Sequence, residues 1–383
     1  MALLRREMEA TLQEAEGSRP LSSLYFGGGT PSLTPPHLLS EVVELLRARC
    51  GLDDSCEVTL EMDPGTFDES RLDAFLEAGV TRVSLGVQSF DDELLKGAGR
   101  SHGVADAEHA IRLLLDACES PSNGLRSMSL DLIGGLPSQT RDSWRHSLET
   151  AASCGAHHVS VYDLQVEPRT AFGKWFESGK LTTLPDEDEA AQYFRDASAV
   201  LGSSGFERYE VSSFARPGHR SQHNAAYWRN EPFYGFGLGA TSHLRGRRLA
   251  RPRAMGEYEQ FVADLETSGL EAMEETHDAV HEEGKEAMTT RLMLALRTRE
   301  GIPFAELTER YGDALGVAAR QACRDAAAEL PAEWIATGLA EAEAPRLALA
   351  DPEGLLFSND AISTVFARLD ERLEAQAHAP TGE

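Results

Sequence analysis

Five short apolar runs, each closing on glycines or polar residues and each parted from the next by a helical periodicity, constrain this chain more than any other feature. The first is Leu24-Tyr25-Phe26, which runs into Gly27-Gly28-Gly29-Thr30-Pro31. Val58-Thr59-Leu60-Glu61-Met62 ends at Asp63-Pro64-Gly65-Thr66, and residues 82–90 form the third run. Ser129-Leu130-Asp131-Leu132-Ile133 ends at Gly134-Gly135-Leu136-Pro137, and residues 158–164 form the fifth. Between them, Leu38, Leu39, Val42, Val43, Leu45 and Leu46 follow Pro35-Pro36, and Leu72, Phe75 and Leu76 precede Gly79, as helical faces do. Strands alternating with helices pair in parallel through right-handed crossovers. The chain is therefore an α/β protein built on either a doubly wound sheet or a (β/α) barrel. A helix over residues 3–15, with Leu4, Met8 and Leu12 on one face, precedes the first strand.

Polar groups and glycines gather where these strands end, the side on which a barrel keeps its active site. They are Gly27, Gly28, Gly29, Thr30, Glu61, Asp63, Gln88, Arg100 with His102, and Asp131. Consecutive glycines let the backbone approach a ligand, Pro31 fixes the exit and Thr30 can cap the next turn. Carboxylates accept from amines and hydroxyls, and Arg100 offers a fork to a carboxylate. The set suits a zwitterionic ligand with an amine, a carboxylate and ribose hydroxyls. The competing reading is that these are strand-end charges facing water.

Charge and composition remove several classes. A net charge of −27 over 383 residues argues against sustained contact with nucleic acid or anionic lipid, both of which need a basic face. No apolar run approaches the ~20 residues of a membrane span, and the first residues lack the apolar core of a signal peptide. The chain thus reads as soluble. The five cysteines, Cys50, Cys56, Cys118, Cys154 and Cys323, include no C-x-x-C pair, which fits buried thiols in a reducing compartment and neither a disulfide scaffold nor structural zinc.

Downstream, residues 206–214 read as a further strand leading to Ser221-Gln222-His223-Asn224-Ala225-Ala226-Tyr227-Trp228. A neutral imidazole can ligate iron, a helical turn sets Tyr227 beside His223, and Trp228 offers a flat apolar wall. The alternative is a locally bonded histidine among packing aromatics. Residues 233–240 alternate apolar side chains with glycine, as either a strand under close backbone approach or part of a ligand wall. Met288, Leu292, Met293 and Leu296 mark one helix, and Phe304, Leu307 and Tyr311 another that reaches Gly312. Residues 346–350, the turn Asp351-Pro352-Glu353-Gly354 and residues 355–357 read as a hairpin. Helices followed by a hairpin predict a small winged-helix-like domain, and the acidic surface makes it a packing lid or partner surface, with no DNA role.

The glycine turn, the Glu-Met-Asp-Pro-Gly-Thr stretch, residues 84–90, Gly99-Arg100-Ser101-His102, residues 131–140 and Tyr162 to Pro168 together resemble the radical S-adenosylmethionine proteins. More narrowly, they resemble the HemW-type haem chaperones and their relatives, the oxygen-independent coproporphyrinogen III oxidases. Three details favour the chaperone type: Ser89 where the oxidase has aspartate, Gly-Arg-Ser-His at 99–102, and Tyr-Asp-Leu-Gln-Val-Glu-Pro at 162–168. The resemblance implies a partial (β/α)6 barrel over residues 1–205, an extension over 206–275 carrying His-Asn-x-x-Tyr-Trp, and a C-terminal domain over 276–383. It also implies S-adenosylmethionine at the barrel rim, with its methionine amine at the Gly27, Gly28, Gly29 and Thr30 turn and with Glu61, Gln88, Arg100 and Asp131 lining the pocket. Haem would meet His223, Tyr227 and Trp228. The partners it implies are haem and haem-accepting proteins.

The same resemblance brings a [4Fe-4S] cluster held by C-x-x-x-C-x-x-C in the loop after the first barrel strand, and neither that strand nor that loop is in this sequence. This leaves two expectations: the cysteines lie upstream of Met1 in the gene, or the chain is a cluster-less binding protein. Without the iron, hydrogen bonds alone would hold S-adenosylmethionine weakly. The functional expectation is a haem chaperone, and the alternative is a coproporphyrinogen oxidase. The compartment is the cytoplasm by default, or an organelle if a transit peptide lies upstream.

Overall fold

A computed structural model describes residues 1–14, 19–120, 124–166, 171–179, 184–276, 279–336 and 345–378; the end of the 162–168 motif, Glu167-Pro168, lies outside them. Strands β1 (Leu21–Phe26), β2 (Leu52–Met62), β3 (Arg82–Gln88), β4 (Ser127–Gly134) and β5 (His158–Asp163) pair in parallel in sequential order. β6 (Glu207–Arg208) and β7 (Ser213–Ala215) add antiparallel strands beyond β5 and complete a seven-stranded sheet. An order that never reverses is that of a (β/α) barrel, whereas a doubly wound sheet has a switch point.

The crossovers are helical. α1 (Ala2–Thr11) precedes the sheet, and α2 (Pro36–Cys50), α3 (Glu69–Glu77), α4 (Asp92–Gly97), α5 (Val104–Glu119), α6 (Arg141–Ser153), α7 (Ala171–Glu177) and α8 (Glu187–Ser203) come after it in turn. Their starts are legible locally. Pro36 opens α2, Asp68 and Asp91 accept backbone N–H bonds at α3 and α4, and Thr140 and Asp186 close capping boxes at α6 and α8.

Strict alternation along the strands divides the sheet into an apolar face and a polar one. Leu24, Val58, Leu60, Val83, Leu85, Met128, Leu130 and Val159 are buried on one face with Leu39, Val43, Phe75, Leu114, Trp144 and Leu148 of the helices, in a single core. The opposite face is polar from one end to the other. In register across it stand Tyr25, Thr59, Arg82 and Ser127, then Glu61, Ser84, Ser129 and His158, then Asp131 and Ser160. With a side-chain period of two, one alternation buries the core and presents the chemistry.

Helix α9 (Gln222–Trp228) lies against β1. Beyond it, β8 (Thr241–Leu244), β9 (Arg247–Ala250) and β10 (Val280–His281) form an antiparallel sheet beside α10 (Met255–Thr276). Residues 233–240 supply no strand. Tyr234 stacks on Phe236 at 5.9 Å and Gly235 is so closely approached that an added Cβ would lie 2.1 Å from Thr241 O. Close backbone approach is thus their role, away from the pocket described below.

The C-terminal helices α11 (Gly284–Ala295), α12 (Phe304–Glu329), α13 (Glu353–Leu356) and α14 (Ser358–Ala377) enclose their own core, including Leu292, Leu307, Ala322, Val365 and Leu369. α12 continues past Gly312, which kinks it with φ +76°. The hairpin read over residues 346–357 does not form. β12 (Arg346–Leu347) pairs with β11 (Ile302–Pro303), and Glu353–Leu356 is helical. The Asp351 turn serves instead as a clasp to the barrel: Asp351 accepts from Ser198 Oγ at 2.7 Å and pairs with Arg208 Nε at 3.1 Å, while Glu353 takes Arg195 bidentately at 2.7 and 2.9 Å. The Arg208 guanidinium is sandwiched by Phe194 and Phe214, 3.7 and 4.4 Å from the ring centroids. No helix among the described residues is long and apolar enough to cross a membrane.

Candidate functional site

At the C-terminal ends of β1 to β5 the polar face opens into a cavity of about 310 Å³ lined by Tyr25, Gly28, Gly29, Thr30, Glu61, Asp63, Ser84, Gln88, Arg100, Asp131 and Tyr162, among others. Its rim is built by the glycine turn. Gly28 has φ +120° and donates its N–H to Glu61 Oε2 at 3.1 Å, and a Cβ on Gly27 would lie 2.8 Å from the Tyr25 ring. Over Gly28 and Gly29 the space is open, so backbone there is free to meet a ligand. Thr30 heads the 3-10 turn Pro31–Leu33 through its carbonyl, with no side-chain cap.

The pocket's acids are pre-positioned. Tyr25 Oη donates to Glu61 Oε1 at 2.7 Å, and Ser84 Oγ bonds both oxygens of Asp131 at 2.9 and 3.0 Å. Burial raises the Asp131 carboxyl to about 6, against the hydrogen bonds from Ser84 and Ser160 that favour its charge. Gln88 holds φ +68° to turn into the cavity, a left-handed conformation that costs a non-glycine residue free energy. A side chain at Gly86 would press on the pocket's own groups, its Cβ lying 2.7 Å from Asp63 Oδ1 and 2.9 Å from Gln88 Nε2, so both would have to shift. Arg100 Nη1 stands 3.7 Å from that same oxygen. His102 turns away, its Nε2 on the Val87 carbonyl at 3.2 Å, and is structural.

Three carboxylates, Glu61, Asp63 and Asp131, thus face one guanidinium, Arg100. That balance, with an open glycine cradle, fits S-adenosylmethionine, whose sulfonium and amine outweigh its carboxylate. A [4Fe-4S] cluster has no such fit. Among the described residues no group of three His, Cys, Asp or Glu side chains stands close enough to hold a metal ion, and all five cysteines are free.

The second element is α9. Glu57, on the polar face of β2, accepts from Ser221 Oγ at 3.2 Å and from the backbone N–H of Gln222 and His223 at 3.1 Å each, which fixes the start of the helix. His223 then stacks on Tyr25, with ring centroids 4.8 Å apart, and meets the edge of Tyr227 at 4.6 Å. Its Nδ1 lies 3.0 Å from Ser23 Oγ. Burial pushes the imidazole down to about 4, so it is neutral at pH 7. Trp228 falls about 140° round the helix from His223, and its carbonyl accepts from Arg291 Nη1 at 3.2 Å. The structure therefore brings His223 and Tyr227 together and sets Trp228 to one side.

Tyr25 belongs to both elements, with its hydroxyl on Glu61 and its ring on His223. Residue-by-residue reading of the sequence misses it, along with Ser23, Glu57, Ser84 and Ser160. The signal was the alternation within each strand, Ser23-x-Tyr25 and Glu57-x-Thr59-x-Glu61, which marks one polar face.

A sequential parallel sheet whose glycine-rich turn and acidic strand ends face one cavity is the architecture of the radical SAM proteins. The Radical SAM superfamily profile matches residues 2–151, and that of the HemN C-terminal domain matches residues 283–357. The chain is 37% identical over 386 residues to the heme chaperone HemW of Synechocystis sp., covering 95% of this chain and 88% of that protein. It is 34% identical over 313 residues to the heme chaperone HemW of Bacillus subtilis, covering 82% and 79%. In structure it is similar to the Escherichia coli coproporphyrinogen III oxidase HemN, with TM-score 0.74 at 19% identity over 96% of this chain and 82% of that one. The chain belongs to the HemW heme chaperone family.

Proposed function

We propose that this chain binds haem on the α9 face and passes it to acceptor proteins, and that its barrel pocket takes S-adenosylmethionine. The observation that carries the haem reading is the bracket around His223. A neutral imidazole, stacked on Tyr25 and edged by Tyr227, offers iron a lone pair beside flat apolar surface. Glu61, Gln88, Arg100 and Asp131 hold the cofactor in this reading, its amine toward the 27–30 turn.

Haem titration followed at the Soret band tests the proposal. His223→Ala is expected to weaken haem binding at least about tenfold and to shift the Soret maximum, since a coordinate bond is lost. Arg100→Ala, whose guanidinium pairs with Asp63 in the pocket, is expected to leave both unchanged. A folded His223→Ala protein with unaltered affinity and spectrum would make the motif structural and favour the oxidase alternative.

A further inference from the structure

We infer that Ser23 is the positioning residue that selects the iron-facing nitrogen of His223, an inference that rests on the haem reading above. His223 is fixed in three independent ways. Its backbone N–H is held by Glu57 at 3.1 Å, its plane by the stack on Tyr25 at 22° between rings, and its rotation by Ser23 Oγ at 3.0 Å from Nδ1. Ser23 and Glu57 are register partners across β1 and β2, so adjacent residues of one rung grip the helix at its first turn.

The chemistry is set by the tautomer. A neutral imidazole carries its proton on one nitrogen and its lone pair on the other. With Nδ1–H donated to the Ser23 oxygen, the lone pair resides on Nε2, which becomes the ligating atom. A hydrogen bond on the far nitrogen also makes the ligand more basic, which strengthens its bond to ferric iron and lowers the haem midpoint potential. Ser23 touches neither haem nor iron in this arrangement. It acts through His223.

The test uses the full chain loaded with haem and reads the Soret position, the affinity and the midpoint potential. Ser23→Ala is expected to weaken haem binding about tenfold and to raise the potential. Ser23→Thr, which keeps the hydroxyl, should restore both, and Ser23→Asp, a stronger acceptor, should carry the potential below that of the unaltered protein. A purely structural serine would not produce this order. If His223→Ala retains haem with its spectrum intact, the haem reading fails and this inference with it. If His223 is required but the alanine and aspartate variants share the potential of the unaltered protein, only the role of Ser23 is overturned. Should Ser23→Ala fail to fold, the threonine and aspartate variants decide the matter by the same potential.

Discussion

Glu7→Ala is expected to cost about 3–5 kcal/mol. Glu7 sits on α1 with no exposed side-chain surface, paired at 2.7 Å with an Arg251 that is equally buried. Its second oxygen accepts from Gly237 N at 2.9 Å and from the Tyr258 hydroxyl. Three partners more than 200 residues away in sequence thus meet on one carboxylate of the first helix. Removing it strands the Arg251 guanidinium in a medium that cannot solvate it, and total stabilities of about 5–15 kcal/mol leave little margin. Denaturant unfolding of Glu7→Ala against the paired variant Glu7→Leu with Arg251→Met separates the two contributions. The double variant, which removes both charges, is expected to recover most of the loss. A single variant within about 1 kcal/mol of the unaltered protein would show that the pair is not desolvated as the geometry requires.

Asp131→Asn should act in opposite directions on stability and on binding. The folded carboxyl titrates near 6, above its unfolded value of 3.8, so between those limits the native state holds the extra proton. Stability therefore falls as pH rises through that window, and at pH 7 the ionised Asp131 is a net cost of about 1–3 kcal/mol. Asparagine keeps an acceptor for Ser84 and removes the charge. It is expected to stabilise the protein by about that amount at pH 7.5, with the gain vanishing near pH 4. The same change takes one of three acids from a cavity shaped for a cation, and S-adenosylmethionine binding should weaken. Urea unfolding at both pH values, with calorimetric titration of the cofactor, reads both effects. A difference in stability that does not change with pH would mean that burial does not set the Asp131 equilibrium. Such opposition is the usual sign of a group retained for binding.

Much of this arrangement is written in local patterns. The alternation of apolar runs and helical faces determines the parallel order, and the strand ends bring Glu61, Gln88 and Asp131 to one cavity because every parallel strand points its C-terminus the same way, while Arg100 reaches it from the connection between α4 and α5. Contacts between distant segments are less legible. Nothing near Glu7 announces Arg251, and nothing near Ser23 announces His223. The 346–357 stretch shows how a short apolar run misleads. Two apolar pieces around an Asp-Pro-Glu-Gly turn fit a hairpin, yet Leu347 finds its partner in Ile302, and residues 353–356 wind up because a run of that length fits either period.

The clasp at Asp351 and Glu353 also governs how the chain can be divided or recombined. Arg208 has no exposed side-chain surface, and its ion pair is to a residue of the C-terminal region 143 positions further along the chain. A fragment ending before Asp351 would keep that guanidinium between Phe194 and Phe214 without its ion-pair partner, leaving Glu210 and Asp163 to offset the charge. The barrel and the C-terminal helices are therefore not interchangeable parts. A chimaera with a relative keeps this clasp where the incoming segment brings an acidic side chain to position 351.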